Sequence, residues 1–245
     1  MALIAMIPAR MGSQRLKKKN LQPLAGVPLI VHAIRKCRDA KVFDEIWVNS
    51  EHPDFGPIAE SEGARFHRRP EALGNDKATS EQFVAEFLEA HDCELVFQVH
   101  SIAPLLTAKE VQRFVIAMRD GGQDALMSVV EENLECAYKG QPVNFTFAEK
   151  TNSQDLTPIQ RIVWAITGWR RATYLRACKE RTCATYSGRI GFYPVSRWAG
   201  HVIKTQDDLD VAEALLPIAI RDPASAIVTS NEAATASNLT RDTRR

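Results

Sequence analysis

The sequence predicts an α/β fold in which a mostly parallel, twisted sheet carries helices on both faces. Two observations carry this prediction. Short apolar runs alternate along the chain with longer segments of helical periodicity, as they do in parallel sheets. A basic loop separates the first apolar run from the first predicted helix, and many α/β proteins hold phosphate groups in such a loop.

The predicted strands are short and apolar, and turn residues separate them. They cover residues 2–7, 45–50, 95–99, 124–130 and 188–195. Residues 131–160 are polar and interrupt the α/β alternation, and the alternating segment 143–147 within them predicts a hairpin strand. Right-handed crossovers between parallel strands bring the loops that follow them to one edge of the sheet, where ligands bind.

The predicted helices show apolar stripes and recognisable termini. They cover residues 28–38, 54–63, 79–91, a segment after Thr107, and 205–220. Thr79 or Ser80 is expected to cap the third helix, and Thr107 with Glu110 has the spacing of a capping box. Thr205 is placed to cap the last helix.

Length and composition favour one domain with a sizeable core. The chain has 245 residues, 45% of them hydrophobic, and a net charge of +1. We expect a single domain over residues 1–222 and a flexible tail over 223–245. Scattered basic residues argue against nucleic-acid binding, and the absence of a long apolar run argues against a membrane span. Five cysteines without a C-x-x-C pair, and no signal peptide, favour a cytoplasmic protein.

The loop after the first strand concentrates positive charge. It contains Arg10, Arg15, Lys17, Lys18 and Lys19. An arginine fork and a lysine ammonium suit phosphate oxygens, and backbone N–H groups around a glycine can surround an anion. The loop has neither the P-loop spacing nor G-x-G-x-x-G. Lysine runs are also common on solvated surfaces, so both interpretations stay open for Lys17 and Lys18.

The loop sequence resembles that of a known family. Ile7-Pro-Ala-Arg-Met-Gly-Ser-Gln14, then Lys19-Asn-Leu21 and Leu24-Ala-Gly-Val-Pro-Leu29, are similar to the opening of the CMP-sialic acid synthetases (acylneuraminate cytidylyltransferases). The resemblance covers roughly residues 2–221, and Gln14 stands where the family has lysine. It implies a Rossmann-like nucleotidyltransferase fold, CTP and an acidic sugar as substrates, and a homodimer formed with residues 131–160.

The same resemblance implies a set of nucleotide-binding residues. Arg10 and Lys19 are expected to stabilise the departing pyrophosphate, and Asp76 to orient Arg69 or the basic loop. Glu51 ends a strand and faces the nucleotide, although capping or solvation would also explain it. The full nucleotide-binding set is Ala9, Arg10, Gly12, Ser13, Asn20, Glu51, Arg69, Asp76 and Ser80.

The acceptor motifs match less well. His100 stands where the family glutamine faces the sugar acid, and a structural histidine is an equally open interpretation. Gln154 and Arg161 match family positions and are candidate acceptor contacts. Val163 and Trp164 replace the family's asparagine and glycine, which suggests a remodelled acceptor pocket.

The largest departure concerns the metal. The family D-x-D that binds Mg²⁺ is replaced here by Val202 and Lys204, which supply no oxygen ligand. Three interpretations stay open: Lys204 replaces the ion and is catalytic beside Arg10 and Lys19, displaced carboxylates such as Asp207, Asp208 or Glu51 hold it, or catalysis is lost.

The leading hypothesis is therefore a cytidylyltransferase that activates an acidic sugar, nonulosonic or 2-keto-3-deoxy. The alternatives are an enzyme of the same fold with a non-sialic acceptor, and a catalytically impaired homologue that binds nucleotide or sugar.

Overall fold

The computed structural model describes residues 2–221, so the predicted tail at 223–245 lies outside the described residues. Its strands are, in chain order, Leu3–Pro8 (β1), Pro23–Leu24 (β2), Val27–Pro28 (β3), Glu45–Ser50 (β4), Arg65–Arg68 (β5), Leu95–Val99 (β6), Ala125–Glu132 (β7), Ala137–Tyr138 (β8), Gln141–Pro142 (β9), Ile159–Arg170 (β10) and Ile190–Pro194 (β11). Its α-helices are Leu29–Ala40 (α1), Phe55–Ser61 (α2), Ser80–Ala90 (α3), Ala108–Gly121 (α4), Arg171–Lys179 (α5) and Gln206–Arg221 (α6).

Seven strands form the central sheet in the order β11-β7-β10-β6-β1-β4-β5. All neighbours are parallel except β10, which runs antiparallel to both β6 and β7. The predicted mostly parallel sheet is confirmed. The loops after β1, β4, β5 and β6 consequently emerge at one edge, the carboxyl edge of the parallel strands.

Both faces of the sheet are covered by helices, as predicted. One core contains residues of α1, α2 and α4, including Ile34, Phe55 and Phe114, and the other contains residues of α3 and α5, including Phe87 and Tyr174. A smaller cluster packs α6 against the β2–β3 region. No helix within residues 2–221 combines the length and the apolar character needed to cross a membrane.

Helix capping follows the sequence closely. Thr79 and Thr107 each accept a hydrogen bond from the backbone three residues on, and Gln82 and Glu110 complete two capping boxes. Thr205 accepts from the backbone N–H of Asp208 at 3.3 Å, so it caps α6. The first helix begins at Leu29 and not at Pro28, because Pro28 is extended and pairs with Pro23.

The predicted hairpin strand at 143–147 was wrong. A shorter hairpin, β8 with β9, precedes this segment, and Val143 and Phe147 stay 58% and 74% exposed. Alternation of apolar side chains stabilises a strand only when one face is buried, and here neither face is. The Asn144 side chain instead bonds the backbone of Leu134, Cys136 and Thr157.

Several elements have no counterpart in the sequence predictions: the longer elements β5, β10 and α5, and the two-residue strands β2, β3, β8 and β9. β10 begins among polar residues and contains an irregularity between Ile162 and Thr167. Trp164 lies within it at φ of +54°, a left-handed conformation. This irregularity interrupts the alternation of side chains between the two faces, so the sequence of β10 shows no period-two pattern.

Candidate active site

A buried ion pair supports the basic loop from inside. Arg69 is 3% exposed, and its Nη2 donates to the Ala9 carbonyl at 2.9 Å and to Glu51 Oε2 at 3.0 Å. Glu51 Oε1 accepts from the backbone N–H of Met11 at 2.9 Å. Arg69 and Glu51 therefore fix the start of the loop, and the Arg69 guanidinium, stacked 4.8 Å from the Phe83 ring, has no open side for a ligand.

A glycine allows the next loop to close over this pair. A Cβ at Gly74 would lie 2.4 Å from Cγ of Glu51, closer than any real Cβ contact. The segment after β5 can therefore pack directly on Glu51 only with glycine at this position. The sequence analysis did not single out Gly74.

Asp76 joins that segment to the basic loop. Its carboxylate accepts from Arg10 Nη1 at 2.6 Å and from Gln14 Nε2 at 2.9 Å, and these two partners, Arg10 first, lower the pKa of Asp76. Asp76 therefore orients Arg10 and the loop rather than Arg69. Gln14, where the family has lysine, still serves as a loop contact. Ser80 lies exposed in the first turn of α3, just after this segment.

Asn20 connects the basic loop to the loop after β6. Its Nδ2 donates to the Arg10 carbonyl at 3.0 Å, and its Oδ1 accepts from Ser101 Oγ at 2.6 Å. Asn20 and Ser101 are both buried. The predicted nucleotide loop and the predicted acceptor residue His100 are thus joined through one buried hydrogen-bond pair.

The cations of the basic loop lie close to Lys204. Lys19 Nζ donates to the Ile203 carbonyl at 3.2 Å, one residue before Lys204. Burial lowers the pKa of Lys19, and the nearby charges of Arg15, Arg10 and Lys204 lower it further. These four cations thus share one small region. A Cβ built on Gly12 would meet no atom of residues 2–221 within 4 Å. Such a concentration of positive charge favours a polyanion.

The carboxylates beside Lys204 do not fit a magnesium cage. Asp208 Oδ2 accepts from the backbone N–H groups of Lys204 and Thr205 at 2.8 and 2.9 Å and from the Thr205 hydroxyl, so it completes the cap of α6. Asp207 is exposed. Over the part of the chain that the structure describes, no three His, Cys, Asp or Glu side chains are grouped to hold a metal ion.

The predicted acceptor residues lie in three different surroundings. The backbone N–H of His100 donates to the Ala165 carbonyl at 3.1 Å, and burial, followed by the charge of Lys19, lowers the pKa of His100 to about 4. Gln154 is exposed in the segment after β9. Arg161 pairs with Glu132 at 2.9 Å and lines a cavity of about 350 Å³ with other residues: Arg197, Trp198, Gly200, His201 and Leu215.

Sequence reasoning missed several buried polar residues around this edge. Lys36 on α1 donates to the Ala103 carbonyl at 2.7 Å, behind the loop after β6. Gln98 and Thr167 lie fully buried in β6 and β10. The available signal was the polar Gln98 inside the otherwise apolar strand β6. Thr167 gave no such signal, because β10 also contains Gln160, Arg161 and Arg170.

A family model described as cytidylyltransferase matches residues 4–209. This chain belongs to the cytidylyltransferase family. Among curated cytidylyltransferases, the N-acylneuraminate cytidylyltransferase A of Danio rerio is 32% identical over 130 residues, which cover 53% of this chain and 30% of that protein. The N-acylneuraminate cytidylyltransferase of Streptococcus agalactiae is 27% identical over 215 residues, covering 84% and 51%.

The chain therefore spans about half or less of the curated relatives it matches. Solved structures support the fold. A CMP:2-keto-3-deoxy-manno-octonic acid synthetase complexed with CTP superposes with a TM-score of 0.67 at 16% identity, covering 89% of this chain and 99% of that one. A 4-diphosphocytidyl-2C-methyl-D-erythritol synthase from Anaerococcus prevotii gives 0.65 at 15% identity, covering 88% and 96%.

Proposed function

We propose that this protein is a CTP-dependent cytidylyltransferase that transfers CMP to an acidic sugar and releases pyrophosphate. The observation that carries the proposal is the fixed basic loop. Arg69 and Glu51 hold its start, and Asn20 holds its end. Lys19 contacts the Ile203 carbonyl, which places its charge near that of Lys204. The names of the relatives, N-acylneuraminate cytidylyltransferases, support an acidic sugar as the acceptor.

In the proposed reaction the anomeric hydroxyl of the sugar attacks the α-phosphorus of CTP. A new C–O–P linkage forms, the bond from the α-phosphorus to the bridging oxygen breaks, and pyrophosphate departs with that electron pair, while the hydroxyl proton passes to solvent. Arg10 and Lys19 would neutralise the departing pyrophosphate, and Lys204 the charge that develops at the α-phosphate. Ala9, Gly12, Ser13, Asn20, Asp76 and Ser80 would shape the nucleotide site.

Acceptor binding is assigned to His100, Gln154 and Arg161. Protein-bound Mg²⁺ enters no step, because Val202 and Lys204 offer no oxygen and Asp208 is engaged in capping α6. Val202 and Lys204 also motivate the second candidate function, a protein of the same fold that binds CTP without turnover.

Calorimetry with CTP and a pyrophosphate-release assay test the proposal. The wild-type protein should bind CTP and release pyrophosphate when supplied with N-acetylneuraminate or 2-keto-3-deoxy-manno-octonate. Lys19→Ala should weaken CTP binding by about tenfold or more, since a partly buried, charge-assisted contact is lost. Lys17→Ala, at an exposed position of the same loop, is the matched control and should bind CTP as the wild type does.

The outcomes separate the two candidate functions. CTP binding without pyrophosphate release from any acidic sugar would favour the non-catalytic binder. Absence of CTP binding, or equal loss in the two variants, would contradict both.

We further propose a homodimer and a cytoplasmic location. Large apolar side chains remain exposed on the edge strand β11 and on the segment after β7: Leu134, Tyr138, Val143, Phe147, Ile190 and Phe192. Burying them against a second copy would remove this apolar surface from water and protect the sheet edge. The five cysteines are free thiols in the structure, which suits a reducing compartment.

A further inference from the structure

The basic loop contains an apolar side chain that is buried. Leu16 is 8% exposed, whereas its neighbours Arg15 and Lys17 are exposed. Leu16 packs into a small apolar cluster, which we call the α6 cluster. The other buried members come from β2, the start of α1, the segment before α6 and α6 itself: Leu24, Leu29, Ile203, Leu209 and Ala212. The middle of the loop is therefore attached to a part of the chain that is distant in sequence.

The α6 cluster also fixes the segment that carries Lys204. Ile203 is fully buried in this cluster, and its backbone N–H donates to the Ile102 carbonyl, in the loop after β6, at 2.8 Å. The carbonyl of Ile203 accepts from Lys19 Nζ at 3.2 Å. Leu16 and Ile203 belong to one cluster, so they hold the segments of Lys19 and Lys204 against each other.

The cations held in this way repel one another in the free protein. Burial lowers the pKa of Lys19, and the charges of Arg15 and Lys204 are among those that lower it further, as like charges do. Lys18 has a left-handed backbone with φ of +49°, which a residue other than glycine keeps only where its surroundings hold it. Repulsion and strain both favour a loop that swings outward into water. Burial of the Leu16 side chain opposes them, because apolar surface is removed from water only while the loop is in place.

We propose that Leu16 is a positioning residue of the nucleotide site: by inserting into the α6 cluster, it holds the cations of the basic loop beside Lys204, in the arrangement that receives the triphosphate. This inference rests on the proposed cytidylyltransferase function. Leu16 acts through Lys19 and the other cations of the loop. The helix α6, which supplies Leu209 and Ala212 to the cluster, is then part of the support of the site.

Leu16→Ala tests the anchor with two measurements. Loss of the buried side chain should let the loop open more often, so trypsin should cleave the native protein after Lys17 and Lys18 about tenfold faster or more. Each cleavage rate is divided by the rate for the same bond in the urea-unfolded chain, which corrects for the effect of the new residue on the protease. The Kd for CTP should rise about tenfold or more, because the cations are no longer held in place before the ligand arrives.

Leu88→Ala is the matched control. Leu88 is fully buried as well, but in the core formed by α3 and α5. Its truncation should lower the Tm as Leu16→Ala does and leave loop cleavage and the Kd for CTP unchanged. Leu16→Met keeps the volume and the apolar character, so both measurements should return to near the wild-type values. Leu16→Val, which removes less of the side chain, replaces Leu16→Ala if that variant does not fold.

The outcomes separate an anchor from an ordinary core residue. The proposal is overturned if Leu16→Ala and Leu88→Ala change loop cleavage and the Kd for CTP equally, or if Leu16→Ala and Leu16→Val leave both at the wild-type values. Faster loop cleavage with an unchanged Kd for CTP would also overturn the positioning role. A wild-type protein that binds no CTP would contradict the proposed function, and the cleavage rates of the free protein would still decide whether Leu16 anchors the loop.

Discussion

Two arginines at the candidate site carry the same charge and have different roles. The Arg10 side chain is 38% exposed and shares Asp76 with Gln14, so it can turn toward a ligand. Arg69 is enclosed by Ala9, Asn49 and Glu51. Burial determines which of them is available to a phosphate, and the sequence motif alone assigned both to the nucleotide.

Replacing Arg69 by methionine should destabilise the protein strongly. Arg69→Met leaves the Glu51 carboxylate buried without its charge partner, so the free energy of unfolding should fall by about 3–5 kcal/mol. Urea unfolding followed by circular dichroism measures it. Arg65→Met is the control: the Arg65 side chain is 60% exposed beside Glu45, and losing a surface pair should cost less than about 1 kcal/mol. Equal losses would contradict the supporting role of Arg69.

Lys204 can be tested as a substitute for the metal. Lys204→Asp places a carboxylate where the resemblance expects a magnesium ligand, so pyrophosphate release should become dependent on Mg²⁺, with a fall of at least about tenfold in EDTA, or about 1.4 kcal/mol. Lys204→Met should lose rate with and without the ion. If the wild type is as dependent on Mg²⁺ as Lys204→Asp, the lysine does not replace the metal.

At the scale of elements, α1 supports the loop after β6 through a buried amine. Lys36 donates to the carbonyls of Ala103 and Pro104, and burial lowers its pKa to about 8. The facing groups are Cys37 on the same helix and Glu110 on α4, and both raise the pKa of Lys36. Glu110 also accepts from the backbone N–H of Ser196. Lys36 and Glu110 therefore link α1 and α4 to the loop after β6 and to the segment after β11.

The amine makes stability depend on pH with a defined sign. The folded-state pKa lies below the ordinary 10.5, so the unfolded state binds more protons between pH 8 and 10.5. The free energy of unfolding should therefore rise with pH in this window, by at most about 1.4 kcal/mol per unit. Comparing the wild type with Lys36→Met by urea unfolding isolates the effect, since Cys37, whose pKa burial raises to about 12, remains in both. A wild-type slope no steeper than that of Lys36→Met would contradict it.

At the scale of the whole molecule, the exposed apolar side chains predict association. Phe192 is 47% exposed on the edge strand β11, and Phe192→Glu should place a charge in the proposed dimer interface. Sedimentation equilibrium should find the wild type at twice the monomer mass and Phe192→Glu at the monomer mass. Ile220→Glu, at a 66% exposed position of α6, should remain a dimer. A monomeric wild type would refute the proposed homodimer.

Strands and caps could be predicted because their causes are local. β4 and β6 were predicted at the residues where they occur, since an apolar run between turns suffices. Thr79 and Thr107 cap helices by accepting a hydrogen bond from the backbone only three positions along the chain. The strand predicted at 143–147 did not form because neither of its faces is buried. The sequence analysis missed β10 because this strand forms through its pairing with β6 and β7.

By itself, the sequence determined the fold class, most helix starts and the position of the basic loop, because side-chain periodicity, turn chemistry and charge are encoded between near neighbours. Only the tertiary structure decided which charged side chains are buried and which are exposed, as with Arg69 and Arg10. It also decided which buried polar atoms have no hydrogen-bond partner among the described residues, as with Gln98 Nε2 and Thr167 Oγ1. These depend on contacts between residues far apart in the chain, such as Ala9 with Arg69, and burial is a property of such contacts.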